Sequence, residues 1–292
     1  MTQRRLARVL VDVAPLRLDR DYRWLWTGQA INGIGTQITR IALPYQIYVL
    51  TGSTLAVAAL TTVQLIPILI FALGAGSVAD AVDRRKLLLL TQIGLLACSA
   101  SLFALALMPS PPLIALFVVA FAAAGLSAVD QPARSSAVPR LVPPERLPSA
   151  IALNQLNFQV GSVVGPAIGG ALIATVGLPG AYLADVLSFS ASIVGIVAIA
   201  PLPPLTAVTR PGLAAIREGL RFVSVRRVIL STFVIDLNAM IFGMPTSLFP
   251  ALALDVFKVG PAGLGLLAAA PAAGAFLGAL LSGWVSSVQR VG

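Results

Sequence analysis

An all-helical integral membrane fold is predicted by three observations. Hydrophobic residues fill 58% of the 292 positions and charged residues only 11%, with a mean hydropathy of +0.92, well beyond what a soluble domain carries. Eight apolar runs, each near the roughly 20 residues a helix needs to cross a hydrocarbon core, lie at 24–49, 55–79, 86–108, 113–134, 148–173, 179–200, 228–254 and 262–286. The connections between them alternate between strongly basic and nearly uncharged.

Taken in order, residues 1–23 form an N-terminal segment holding Arg4, Arg5, Arg8, Arg17, Arg20 and Arg23. The run at 24–49 is too long for a signal-peptide core and no small-residue cleavage pattern follows it, so it is expected to stay in the chain. The turn "TGST" is uncharged, and the next holds Arg84, Arg85 and Lys86. "MPSPP" is uncharged again, Arg134, Arg140 and Arg146 follow the fourth run, and "ATVGLPGA" between the fifth and sixth carries no charge. The connection 201–227 adds Arg210, Arg217, Arg221, Arg226 and Arg227, whereas "DVFKVGPAG" has a single basic residue, Lys258. Basic residues collect on the cytoplasmic side of a membrane protein, so the N-terminus and the 201–227 connection are expected there.

Six runs, a long connection and two more runs predict a six-helix bundle over 24–200, a linker over 201–227 and a partial second bundle over 228–292. "PLPPLTAVTRPG" marks the break. After it "LAAIREGLRFV" puts Leu213, Ile216, Leu220 and Val223 on one face of an amphipathic helix. A parallel internal repeat aligns Pro44 with Pro250 and Gly76 with Gly283. The run of helices stops four short of a second bundle of six, so the expectation is a fragment of a longer protein or a chain that a partner completes.

Several functions are excluded. The net charge of +9 follows from scattered basic turns and carries no expectation of nucleic-acid binding. With no His and one Cys, Cys98, neither a Cys/His metal site nor a disulfide framework can form. Serines without a histidine and the lack of a phosphate-cradling loop leave neither a hydrolase nor an ATP-driven pump. No enzyme activity, cofactor or metal is expected.

Two motifs remain. In "GSVADAVDRRK", Gly76 permits close backbone approach and Asp80 falls at a helix C-terminus, where an acid opposes the helix dipole and needs donors from Arg84, Arg85 or Arg134. In "GSVVGPAIGG", Gly161, Gly165 and Gly169 recur every four residues as one stripe on which another helix can pack closely. Pro166 lacks an amide donor and should bend the helix near Ser162. The eighth run offers a matching stripe in Gly274, Gly278 and Ser282.

The first motif resembles the signature of the major facilitator superfamily, Gly, three residues, Asp and a basic cluster, with Gly76, Asp80, Arg84 and Arg85 in those places and Asp83 where glycine is common. The second, with Pro166 after Gly165 and the pair Gly169 and Gly170 closing it, is similar to that superfamily's antiporter motif. "LTGSTLAVAAL", "PARSSAVPRLVPPERL" and the region after Phe249 resemble its enterobactin-exporter branch. The resemblance implies a major facilitator fold, a charge network that latches two bundles, and a fifth helix that seals one face of the transport path. It implies export of a siderophore or drug by alternating access, with protons as coupling ion. "LIALFVVAFAAAGLSAVDQPAR" lacks the mid-helix Arg common in drug antiporters, so coupling through that residue is not implied.

A charge at membrane depth is costly and usually functional. Arg40 in the first run and Asp236 in the seventh meet that description, Arg40 as an anion-binding or gating group and Asp236 as a protonatable one. Gln29, Asn32, Thr36 and Gln37 add polar groups beside Arg40. The reading is a multi-pass exporter of the bacterial inner membrane whose partners are a small-molecule substrate, protons and lipid. An importer of the same fold or a non-transporting fragment are the alternatives.

Overall fold

The computed structural model describes residues 12–72, 83–203 and 245–281, with a few positions between 224 and 238. A short helix, Ala14–Leu18, leads into α1 (Arg20–Thr51), followed by α2 (Thr54–Ala72), α3 (Arg84–Ala106) and α4 (Leu113–Leu141). The run Leu147–Val197 is two helices, α5 over 147–176 and α6 over 178–197, joined at Gly177. A short helical stretch, Thr246–Val256, and α7 (Gly260–Leu281) complete the described chain.

The boundaries follow local chemistry. α1 ends at Gly52 with a positive φ of 62°, and its amide donates to the Tyr48 carbonyl at 2.8 Å, a left-handed cap that glycine adopts without a Cβ penalty. At Gly177 the backbone takes φ 74° and ψ −177°, a region nearly confined to glycine, and this residue turns the chain from α5 into α6. α4 runs to Leu141 and does not stop at 134. Asp130, Ala133, Arg134, Ala137 and Val138 are all buried on it, so the basic residue there belongs to the interior. The seventh apolar run is broken at Pro245, which has non-helical angles of φ −76° and ψ 65°, as a residue without an amide donor allows. The amphipathic stretch at 213–223 lies outside the described residues.

Five described helical segments are long and apolar enough to cross a membrane, the α5–α6 run counting as one. α1 is long enough as well, but its polar residues dilute its hydropathy, and they point inward. Buried apolar residues form two layers. Near the uncharged turns, Ile38, Leu43, Ile47, Leu102, Leu116, Ile173 and Tyr182 pack together. Near the basic turns, Leu25, Leu88, Ala133 and Ile196 form one cluster and Tyr22, Val138 and Leu153 another. Large apolar side chains such as Leu55, Leu90, Ile114 and Leu187 lie exposed on the outside, the arrangement a lipid solvent rewards.

α1 is the central element, packed most extensively against α5 and α6. Glycines make this possible. A Cβ at Gly165 would lie 2.5 Å from the Gln37 Cβ and one at Gly169 3.1 Å from the Ile38 Cα. On the other side of α1, a Cβ at Gly28 would lie 3.1 Å from the Ser192 Cα, and one at Gly195 2.6 Å from the Trp24 carbonyl oxygen. Hydrogen bonds pin the basic end of this packing, from Tyr22 Oη to the Ala150 carbonyl (2.9 Å) and from Trp26 Nε1 to the Leu153 carbonyl (3.2 Å).

A polar cavity inside the bundle and its helix contacts

Between the two apolar layers lies a polar one. α1, α3, α4, α5 and α6 line an open cavity of about 240 Å³, and a second space of about 500 Å³ adjoins it toward α2. The two share Thr36, Thr39, Arg40, Ala123, Ser127 and Gln131 as lining. Gln29, Asn32, Gln37, Arg40, Arg134 and Gly161 therefore meet around one space, because they recur on the inner face of α1 and on its neighbours. Arg40 stands about two thirds of the way along α1, and its side chain makes no hydrogen bond or ion pair among the described residues. Gln37 is fixed by donating from Nε2 to Ser162 Oγ at 2.8 Å.

Two buried acids line the same cavity, and the reading by apolar runs passed over both. Asp130 accepts from Arg134 Nε (3.0 Å) and Nη2 (2.9 Å), from Thr91 Oγ1 (2.7 Å) and from Gln92 Nε2 (3.1 Å). Asp185 accepts from Thr39 Oγ1 (2.7 Å) and Ser99 Oγ (2.8 Å), and Ser188 Oγ, 3.4 Å from its Oδ1, donates to the Asp185 carbonyl oxygen at 2.7 Å. Asp185 lies well inside the run 179–200, so the rule that singles out Arg40 applies to it equally. Asp236 is exposed and is not among the lining residues.

At the basic end, Arg85 donates from Nε and Nη2 to the Ile196 and Val197 carbonyls at 3.1 and 2.6 Å, a cation on the C-terminus of α6 where the helix dipole favours it. Arg84 Nε donates to Ser136 Oγ at 3.0 Å. Gly76 and Asp80 lie outside the described residues, so the network with them cannot be traced there. Asp83 caps α3, its Oδ1 accepting from the Arg85 and Lys86 amides at 2.9 and 3.3 Å.

The glycine motif divides between two partners. Gly161, Gly165 and Gly169 face α1, within the same bundle. Gly170 turns to α7, where its Cβ would fall 2.6 Å from the Pro261 carbonyl oxygen and 2.8 Å from the Gly265 Cα. A Cβ at Gly265 would in turn sit 2.5 Å from the Pro166 carbonyl oxygen. The expected stripe on the eighth run is not the contact surface among the described residues, where a Cβ at Gly274 or Gly278 would meet nothing. Gly265, two turns earlier, takes that part. Through Pro166 and across Gly170 the run stays helical, its one non-helical residue being Gly177. Nearer the uncharged turns, Tyr48 Oη donates to the Asp255 carboxylate, a second tie between α1 and the chain beyond the linker.

Helices long and apolar enough to cross a membrane, lined up around a cavity with polar side chains, are the architecture of a multi-pass membrane protein. The chain belongs to the transmembrane secretion effector family of major facilitator transporters, whose family model matches residues 11–288. It is 28% identical over 293 aligned residues to the enterobactin exporters EntS of Shigella boydii serotype 18 and Escherichia coli O127:H6. Those matches cover 97% of this chain and 68% of theirs. Among solved structures it is similar to a POT family transporter in complex with a thioalcohol conjugated peptide, with a TM-score of 0.66, 14% identity, and coverage of 92% of this chain and 71% of that one. A bacterial homologue of the human lysosomal transporter Spinster, inward-facing and unoccupied, matches with a TM-score of 0.66, 19% identity and coverage of 90% and 62%. Family and relatives make this chain a transporter and not an enzyme.

Proposed function

We propose that this transporter exports a siderophore or a similar small organic molecule across the bacterial inner membrane by alternating access, in exchange for protons. The enterobactin exporters it resembles supply the cargo class. The observation that carries the reading is Arg40, a cation without a partner among the described residues, in a polar cavity with Gln29, Gln37 and Asn157 close by. An unpaired guanidinium in a low-dielectric surround binds oxygen anions by charge-assisted bonds. Ionised catechol or carboxylate oxygens are of that type, and Phe158 on α5 offers an aromatic face to a ring.

In this reading the basic end is cytoplasmic, with Arg84, Arg85 and Arg134 joining Gly76 and Asp80 in the latch. The glycine motif lets α5 carry α1 on one side and α7 on the other while the cavity changes face. The unit 24–200 is the first bundle, 201–227 the linker and 228–292 the start of the second. The test is uptake of radiolabelled enterobactin into inside-out membrane vesicles containing the protein. Arg40→Leu is expected to lower uptake roughly tenfold or more, the loss of a charge-assisted bond of about 1.5–3 kcal/mol, with Arg40→Lys intermediate. Uptake equal in wild type and Arg40→Leu would remove Arg40 from cargo binding, and no uptake in the wild type would sink this cargo.

A further inference from the structure

The two buried carboxyl groups of the cavity differ in kind. Asp130 is charge-matched, bonded twice by the Arg134 guanidinium one turn along α4. Asp185, only 2% exposed, has no Arg or Lys bonded to it among the described residues. Its side-chain donors are two hydroxyls, from Thr39 on α1 and Ser99 on α3, while the Ser188 hydroxyl on α6 donates its one proton at 2.7 Å to the Asp185 carbonyl oxygen. A buried carboxylate without a cation is expensive to keep charged, and hydroxyl donors recover part of that cost. Hydroxyls suit both states, because each can rotate to donate to a carboxylate or to accept from a carboxylic acid. Asp185 can therefore gain or lose a proton without repacking its neighbours.

It is also connected. Its carboxyl lines the cavity that holds Arg40. Ser188 Oγ, beside it, lies 3.3 Å from Asn32 Oδ1, Asn32 Nδ2 donates to Gln92 Oε1 (3.4 Å), and Gln92 Nε2 to Asp130 Oδ1. This chain of side chains crosses four helices, from the proton-accepting group to the ion pair near the basic end. The other charged or titratable groups lining the cavity are Arg40 on α1, Cys98 on α3 and the Asp130–Arg134 pair on α4; Tyr182, one turn before Asp185 on α6, is buried in the apolar layer and donates to Gln46 Oε1. α5 adds none to the lining. No ion pair joins Arg40 to Asp185 among the described residues, although both line the one cavity.

We propose that Asp185 is the proton-binding site of this transporter. One of its carboxyl oxygens forms an O–H bond with a proton delivered by cavity water and returns that proton to water once the cavity faces the other side. The inference rests on the proton-exchange reading above, and its test separates the two. Infrared difference spectra of the purified protein, titrated from alkaline to acid pH without any cargo, should reveal the carbonyl stretch of a protonated carboxyl. That band should be absent from Asp185→Asn and shifted in frequency in Asp185→Glu. In Thr39→Ala, which removes one donor while keeping the acid, its midpoint should move to higher pH, because the carboxylate loses a hydrogen bond. Wild-type and Asp185→Asn spectra that superimpose, or an unmoved midpoint in Thr39→Ala, would overturn the assignment. Where wild-type enterobactin uptake responds to the pH gradient, it should also fall at least tenfold in Asp185→Asn, and a gradient response unchanged there would again overturn it. A band that titrates as described while wild-type export ignores the pH gradient would uphold the proton site and overturn the exchange reading alone.

Discussion

Asp83 occupies a place where the superfamily pattern favours glycine, and its side chain explains the exchange. Its carboxylate satisfies two of the amides that begin α3, so what the turn loses in backbone freedom it gains as a cap. Arg134 teaches the converse. Read as the first residue of a basic turn, it is 6% exposed and bound to Asp130 at 2.9 Å. Removing one partner of such a buried pair leaves the other charge uncompensated, at a cost of about 3–5 kcal/mol. Arg134→Gln is therefore expected to lower thermal stability sharply, and Asp130→Asn with Arg134→Gln to recover part of the loss. Thermal unfolding followed by dye labelling of the half-buried Cys98, the chain's single thiol, measures both. Additive losses in the double variant would mean that the pair does not act as a unit.

Among the elements, α5 determines how the bundle meets the chain beyond the linker. Its two glycine faces were legible as spacing, since residues four apart share a face, but which face met which helix was not. The contact of Gly170 with Gly265 involves backbone atoms on both sides, which cannot swing away from an added methyl. Gly265→Ala should destabilise by about 1–3 kcal/mol, the usual cost of overpacking. Gly278→Ala, with nothing near its Cβ among the described residues, should stay within about 0.5 kcal/mol. The same Cys98 melting assay compares them, and equal losses would refute the assignment of Gly265 as the contact.

At the scale of the whole molecule, the described residues close toward the uncharged turns through two ties, Tyr48 with Asp255 and α5 with α7. The alternating access proposed above would require both to part when the cavity opens on that side. Tyr48→Phe removes a hydrogen bond to a carboxylate, about 1.5–3 kcal/mol, and should raise the share of molecules open there roughly tenfold or more. Cys98 lines the cavity and reports the change. A membrane-impermeant thiol reagent, added on the side of the uncharged turns, should label Tyr48→Phe faster than wild type by a similar factor. Equal labelling rates would mean that this tie does not hold that side shut.

Composition, run length and the alternation of basic and uncharged turns by themselves determined that this protein crosses a membrane repeatedly, roughly where α1, α3, α5 and α6 begin and end, and that Arg40 lies at depth. Tertiary structure alone decided that α1 is clasped between α5 and α6, that Gly265 and not Gly274 receives α5, and that Asp130 and Asp185 differ in their partners. The physical reason is the solvent. In water a helix marks its buried face by apolar contrast, but in lipid the outer face is as apolar as the packed one. The sequence then records how far each helix reaches while the choice of neighbour rests on close approach and hydrogen bonds, which appear only when the helices are brought together.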